Sequence, residues 1–90
     1  MTPRAIVHAV ARAHGITVER MCSQYRPASL VRIRHEAMGL LRHTGMSTPD
    51  IARAVGRTDH TTVLHGLRKM ARAIKARPAY ADEMRAMVGA

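Results

Sequence analysis

The stretch STPDIARAVGRTDHTTVLHGLRKM, residues 47–70, contains two helical patterns separated by a very short connection. In the first pattern, Thr48 as N-cap and Pro49 at the first helical position predict a helix start, and Gly56 predicts its end. The second pattern begins around Asp59. Its apolar residues recur at helical spacing: Val63, Leu67, Met70 and Ile74. Two helices joined by a glycine-containing turn of about three residues predict a helix-turn-helix.

The rest of the chain predicts four more helices around this pair. They are expected over residues 3–14, from Thr17 through Cys22, from Ser29 as N-cap to Gly45, and over residues 79–88, with Pro78 separating the last from its predecessor. The expected core also includes Ile6, Val7, Val10, Ala13, Leu30, Ile33, Ala37, Leu40, Leu41, Ile51, Ala52, Val55, Tyr80, Met84, and Met87 or Val88. We therefore expect an all-α fold, a compact bundle of about six helices containing a helix-turn-helix, as one domain spanning residues 1–90.

Composition agrees with a small helical protein inside the cell. Of the 90 residues, 47% are hydrophobic and none is Trp or Phe, so a core of aliphatic side chains and Met is expected, as between packed helices. The single cysteine, Cys22, cannot form an internal disulfide. The apolar stretches are interrupted by Arg or His, which argues against a membrane span or a signal peptide. We expect a cytoplasmic, nucleoid-associated protein.

The positive charge is concentrated in one part of the chain. The formal net charge is +9, and residues 20–77 hold twelve Arg or Lys residues against Glu36, Asp50 and Asp59. A confined basic field attracts polyanions, so duplex DNA, RNA and an anionic membrane surface are all candidate partners. An Arg-rich composition spread over solvated faces is the alternative explanation, and it applies in particular to Arg32 and Arg34.

The second helix of the pair begins with four polar residues: Asp59, His60, Thr61 and Thr62. In a helix-turn-helix protein this end of the second helix enters the major groove of DNA. Two adjacent Thr residues weaken a helix start, whereas their methyl and hydroxyl groups suit base edges or phosphates. Further along, Arg68, Lys69, Arg72 and Lys75 are placed to follow a phosphate strand. These features favour a DNA-binding function.

Residues 59–70, Asp-His-Thr-Thr-Val-Leu-His-Gly-Leu-Arg-Lys-Met, closely resemble the signature of the C-terminal DNA-binding domain of the bacterial replication initiator DnaA. The resemblance extends to the basic loop before the long helix, the Arg-x-Arg-His-Glu-Ala-Met segment at 32–38, the Ser-Thr-Pro-Asp-Ile helix and the terminal helix. It implies sequence-specific binding of double-stranded DNA at the DnaA box, TTATNCACA, and a role in replication initiation or its regulation.

The resemblance also implies individual roles. It assigns base reading in the major groove to Asp59, His60, Thr61 and Thr62, and minor-groove entry to Arg26. It assigns contact with the DNA backbone, or support of those contacts, to His35, Arg42, Pro49, Val63 and His65. We expect the same backbone or supporting role for Arg32, Arg34, Thr48, Arg57, Thr58, Arg68 and Lys69.

Two departures from the family pattern stand at this expected interface. The family usually has Gly-Gly-Arg before Asp-His, whereas this chain has Gly56, Arg57 and Thr58, and the family commonly has Gln at the position of His35. Affinity or fine specificity is expected to differ there.

No enzyme, cofactor or metal function is predicted. The spacings of His60 to His65 and His8 to His14 do not place two ligands on one helical face. The sequence has no Gly-x-x-x-x-Gly-Lys-Ser/Thr phosphate loop, so we expect neither ATP hydrolysis nor filament assembly, and a monomer on each site.

Several alternatives stay open from the sequence. The chain is either a fragment of a longer initiator or a free-standing paralogue. A paralogue could act mainly through protein–protein contact with a replication regulator, or with full-length DnaA itself. Binding to a membrane surface through a basic amphipathic helix is another alternative, but it gives no role to the polar start of the second helix.

Overall fold

The structure is a computed structural model that describes residues 1–89, and every regular element in that range is a helix. The helices are α1 (Pro3–Ala13), α2 (Val18–Met21), α3 (Ala28–His43), α4 (Thr48–Ala54), α5 (His60–Ala76) and α6 (Ala79–Met87). The predicted all-α bundle of about six helices is confirmed, and it measures 30 × 26 × 25 Å. Within residues 1–89, no helix is both long and apolar enough to cross a membrane.

Side-chain caps begin most of the helices. Thr2 and Thr17 each accept a hydrogen bond of 3.1 Å from the backbone N–H three residues later, which satisfies a donor that the helix leaves free. The expectation that Thr48 caps α4 is wrong. Ser47 is the N-cap and accepts from the N–H of Asp50 at 3.3 Å, so Thr48 and Pro49 are the first two helical residues.

The start of α3 also differs from expectation. The sequence predicts Ser29 as the N-cap, but the helix begins at Ala28 with Pro27 in the capping position. The pyrrolidine ring holds φ of Pro27 at −65°, and its carbonyl accepts the first helical hydrogen bonds, from Leu30 at 3.0 Å and Val31 at 3.1 Å. A fixed backbone angle thus replaces the side-chain cap.

The long helix α3 lies at the centre of the bundle and contacts each of the other five helices. Most predicted core residues are buried around it, and Val10, Leu41, Ile51 and Val63 are fully enclosed. Ala13 is exposed instead of buried, and Ala11 occupies the inner face of α1 in its place. The core is aliphatic, as the composition predicts.

The turn between α4 and α5 closes the expected helix-turn-helix. Gly56 has φ of +73°, and the N–H of Arg57 reaches back to the carbonyl of Ala52 at 2.7 Å, the pattern of a Schellman motif. A Cβ atom at Gly56 would lie 3.0 Å from both Cβ and the carbonyl oxygen of Cys22. This turn therefore packs directly against the segment that follows α2.

A buried polar cluster joins α1, α3 and α6 on another side of the bundle. Glu36 is only 3% exposed, and one of its carboxyl oxygens accepts a hydrogen bond from the hydroxyl of Tyr80. The other oxygen lies 2.6 Å from Nε2 of His14. Because both oxygens have partners, Glu36 can be buried without an orphaned polar group.

Candidate nucleic-acid interface

The first turn of α5 presents polar side chains to solvent. Asp59 is the N-cap, and its Oδ1 accepts from the N–H of Thr61 at 2.8 Å, which lowers the pKa of the carboxyl group. His60 and Thr61 are exposed, and Thr62 is half-buried. Val63 lies beneath them, fully buried in the core, so this end of the helix has a fixed apolar base.

The loop of residues 22–27, between α2 and α3, carries the exposed Arg26. Arg34 reaches this loop from α3, and its guanidinium donates to the carbonyls of Met21 at 3.0 Å, Ser23 at 3.2 Å and Tyr25 at 3.1 Å. Arg34 is only 3% exposed, so the solvated-face interpretation is wrong for this residue.

Arg57 reaches the same loop from the turn before α5. It is 7% exposed, and its guanidinium donates to the carbonyls of Cys22 at 3.2 Å and Ser23 at 2.8 Å. Burial lowers the pKa of both Arg34 and Arg57, and neighbouring arginine charges lower it further. Backbone carbonyls rather than carboxylates satisfy these buried cations.

A cleft of about 310 Å³ lies between α3, α5 and the 22–27 loop. It gathers seven of the residues predicted from the sequence: Arg26, Arg34, His35, Arg57, Thr62, His65 and Lys69. Val31 and Met38 complete its lining and were missed from the sequence as site residues, because their apolar character resembles that of core positions. None of the lining residues is acidic, so the cleft offers a positive and partly apolar concave surface to an anion.

Helix packing brings His35 into this cleft beside Gly66 of α5. A Cβ atom at position 66 would lie 2.7 Å from both Cδ2 of His35 and the sulfur of Met38, so any larger residue here would force these two side chains of α3 to move. Burial is the main cause that lowers the pKa of His35, and the charges of Lys69 and Arg34 add to it. Both effects favour the neutral form of the imidazole.

Other predicted residues lie outside the cleft lining. The Nε of Arg32 is 3.4 Å from the hydroxyl of Tyr80, with the guanidinium 5.3 Å from the ring centroid, so Arg32 points toward α6. Arg42 donates to the carbonyl of Met46 at 3.0 Å, near the start of α4 where Thr48 and Pro49 lie. Thr58 and Arg68 are exposed elsewhere on the surface.

One exposed aromatic residue near the site was not anticipated. Tyr25 is 61% exposed, and the guanidinium of Arg20 lies 5.6 Å from its ring centroid. It directly precedes Arg26 in the loop. Helical periodicity gives no information about a loop residue, so only its aromatic character could have drawn attention to it.

The ion pairs that form within residues 1–89 all lie away from the cleft. They are His14 with Glu36, Arg53 with Asp50, Arg77 with Glu83, and Arg85 with Asp82. The cations of the cleft therefore have no carboxylate partner in the part of the chain described. An arrangement of this kind is chemically suited to phosphate groups, and it brings Arg26 together with Thr62 of the first turn of α5.

Comparison with known proteins gives one family and a set of similar sequences. Residues 3–70 match the family described as the bacterial DnaA protein helix-turn-helix. The chain is 37% identical over 83 residues to the chromosomal replication initiator protein DnaA of Rhodopseudomonas palustris strain BisA53, an alignment that covers 91% of this chain and 18% of that protein.

Two further relatives carry the same name. The protein of Xanthobacter autotrophicus is 39% identical over 80 residues, covering 88% of this chain and 16% of the relative. The protein of Nitrosospira multiformis is 44% identical over 71 residues, covering 78% and 15%. The chain thus spans less than a fifth of the length of each of these relatives.

Proposed function

The chain belongs to the bacterial DnaA helix-turn-helix family, and we propose that it binds double-stranded DNA at sites that resemble the DnaA box, TTATNCACA. The observation that carries this proposal is one cleft that brings Arg26 of the loop together with Thr62 of the first turn of α5 and whose lining has no acidic residue. A phosphate strand held in that cleft would lie between Arg26 and the residues of α5 that are proposed to contact bases.

In this proposal α5 lies in the major groove. The helix has 17 residues and is therefore about 25 Å long, and a major groove about 12 Å wide admits it. His60, Thr61 and Thr62 present hydrogen-bonding groups, and the Thr methyl groups suit thymine. Asp59 caps the helix through one oxygen, and its remaining lone pairs can accept from the amino group of cytosine.

Arg26 enters the adjacent minor groove in the same proposal. The TTA end of the site is composed of A·T pairs, whose narrow minor groove concentrates negative potential and attracts a guanidinium. His65 and Lys69 face the strand between the two grooves, and Arg34 and Arg57 support the loop. These assignments give every cationic residue of the cleft lining a contact or a supporting role.

The biological role proposed is in replication initiation or its control. The relatives are named chromosomal replication initiators, and this chain matches only the part of them that contains the helix-turn-helix. A site without internal symmetry needs one chain, so we propose a monomer on each site. Full-length DnaA or one of its regulators is the protein partner that this role suggests.

Binding by fluorescence anisotropy tests the function directly. The chain is expected to bind a duplex with TTATNCACA more tightly than a scrambled duplex at the same salt concentration, because base-reading groups are present. His60→Ala is expected to cost about 1–3 kcal/mol on the box and little on the scrambled duplex. His8→Ala changes an exposed histidine of α1 in the same way and is expected to change neither affinity. Equal affinity of the wild type for both duplexes would contradict the proposal.

A further inference from the structure

The loop that carries Arg26 depends on side chains from outside itself. Within residues 22–27, Tyr25 donates its N–H to Oγ of Ser23 at a long 3.4 Å, and that hydroxyl in turn donates to the carbonyl of Arg20 at 2.7 Å. The carbonyls of Cys22, Ser23 and Tyr25 accept instead from the guanidiniums of Arg34 and Arg57. A loop with so few internal hydrogen bonds takes its conformation from these two side chains.

The two arginines attach the loop to different parts of the fold. Arg34 comes from the middle of α3, the helix that directly follows the loop, so it holds the loop against α3. Arg57 comes from the turn of the helix-turn-helix, two residues before the N-cap of α5. Besides the carbonyl of Gly56 at 3.3 Å, its acceptors are the carbonyls of Ser23 and Cys22, which are 34 and 35 residues away in the sequence. Arg57 is therefore the side chain that connects the loop to the start of α5.

Close packing supports the same connection. A Cβ atom at Gly56 would lie 3.0 Å from Cys22, so the turn and the loop are already in contact through the residue before Arg57. Arg57 is 7% exposed and lies among cations, and burial lowers its pKa. Burying a guanidinium that has no carboxylate partner is costly unless its N–H groups are hydrogen-bonded. The backbone carbonyls that Arg57 contacts meet this requirement, which distinguishes it from an ordinary surface arginine.

We infer that Arg57 is a positioning residue for DNA recognition. It fixes the Arg26 loop against the turn before α5, so that Arg26 in the minor groove and the first turn of α5 in the major groove stay at a fixed distance from each other. This inference rests on the proposed DNA binding. Arg57 acts through Arg26 and through the loop backbone. Its loss therefore affects recognition at the A·T-rich end of the site, while recognition by α5 at the other end is retained.

The test uses Arg57→Lys, which keeps the charge but replaces a planar fork by a single ammonium group that cannot span two carbonyls with the same geometry. Arg57→Gln is the second variant, which removes the charge and keeps a donor. Arg53→Lys is the matched control, because Arg53 lies on α4 nearby, is exposed and pairs with Asp50. Circular dichroism melts establish that each variant is folded at the temperature of measurement.

Two measurements are expected to change together. Amide hydrogen exchange at Ser23 and Tyr25 is expected to become about tenfold faster or more in both Arg57 variants, and not in Arg53→Lys. Replacing the TTA end of the box by G·C pairs is expected to weaken wild-type binding on the order of tenfold or more, and to weaken the Arg57 variants only about threefold or less. Base changes at the CACA end are expected to weaken binding by the same factor in the wild type and in the Arg57 variants.

Arg26→Ala separates positioning from direct contact. If Arg57 acts through Arg26, then Arg57→Lys adds no further loss of discrimination at the TTA end in the Arg26→Ala background. Unchanged exchange of the loop amides in the Arg57 variants would overturn the inference, whatever their DNA affinities. Faster exchange would also overturn it if replacing the TTA end by G·C pairs weakened binding of the variants as much as that of the wild type. A wild type that fails to distinguish the box from a scrambled duplex would instead refute the proposed function, while the exchange data would still show whether Arg57 holds the loop.

Discussion

Arginine side chains have different partners on two sides of this molecule. On the side of α6, Arg77 pairs with Glu83 at 2.7 Å and Arg85 pairs with Asp82. On the side of the cleft, Arg34 and Arg57 donate only to backbone carbonyls, and the cleft lining contains no acidic residue. On the α6 side Arg77 and Arg85 have carboxylate partners within the chain, whereas the arginines of the cleft have none within residues 1–89.

This difference separates stability from binding. Near α6, Glu36, His14 and Tyr80 satisfy one another in a largely buried cluster, and the surface pairs around it are internal to the chain. At the cleft, positive groups remain close together although they repel one another, an arrangement that folding alone does not favour. A polyanion that enters the cleft would supply the missing charge. Substitutions on the two sides are therefore expected to affect different measurements.

The largest expected effect on folding comes from the α6 side. Tyr80→Phe removes the hydroxyl that donates to Glu36 and leaves a buried carboxyl oxygen without this donor, which is expected to cost about 1–3 kcal/mol of unfolding free energy. The melting temperature by circular dichroism would fall by roughly 5–20 °C. DNA affinity well below the transition is expected to stay unchanged.

Tyr25→Phe is the matched control for that prediction. It removes the same hydroxyl group from an exposed tyrosine, and its melting temperature is expected to equal that of the wild type. Equal stability of Tyr80→Phe and the wild type would show that the cluster around Glu36 contributes nothing to folding, and the contrast between the two sides would then fail.

The sequence predicted the bundle well because its helices have clear local signals. Gly56 and Gly15 both end helices at positive φ, and Thr2 and Thr17, residue types that commonly cap, begin two of them. The start of α3 was predicted incorrectly because Pro27 fixes the backbone without a side-chain cap. Such a start leaves no polar signature at the N-cap position.

The site was predicted less completely than the fold, for a physical reason. Roles for Arg26 and Thr62 could be proposed from the sequence around each residue. The contacts of Arg34 and Arg57 depend on the fold, because their hydrogen-bond partners come from distant parts of the chain. A signal for Arg34 existed, since its spacing from Leu30 and Leu41 places it on the buried side of α3. That spacing indicates burial without revealing which carbonyls accept its hydrogen bonds.

A smaller effect tests whether the cleft holds phosphates. Lys69→Ala removes one exposed cation of the cleft and is expected to make the plot of log affinity against log salt less steep by about 0.9, equally on box and scrambled duplexes. Lys75, which the sequence also placed along a phosphate strand, lies outside the cleft lining, so Lys75→Ala removes the same charge from α5 and is expected to leave the slope unchanged. Equal slopes for both variants would place the DNA strand elsewhere on α5.

The smallest expected effect is a dependence of stability on pH that arises at His35. Burial lowers the pKa of this imidazole in the folded protein, so below about pH 6.5 the unfolded chain binds a proton that the folded chain resists. The unfolding free energy therefore falls as the pH decreases from about 6.5 toward the folded-state pKa, and this contribution is absent at higher pH. Because His35 is only half-buried, the loss is expected to stay below about 1 kcal/mol.

His35→Gln removes the titrating group and keeps a neutral polar side chain beside Gly66. Denaturant unfolding at pH 7.5 and pH 5.5 is expected to show a smaller acid-induced loss of stability in the variant than in the wild type. Added duplex is expected to reduce the wild-type loss, because a phosphate near Lys69 and His35 would favour the protonated imidazole. An identical acid-induced loss in the two proteins would mean that neither burial nor the positive charges of Lys69 and Arg34 shift the pKa of His35, and the electrostatic contrast with the α6 side would then be weaker than the geometry indicates.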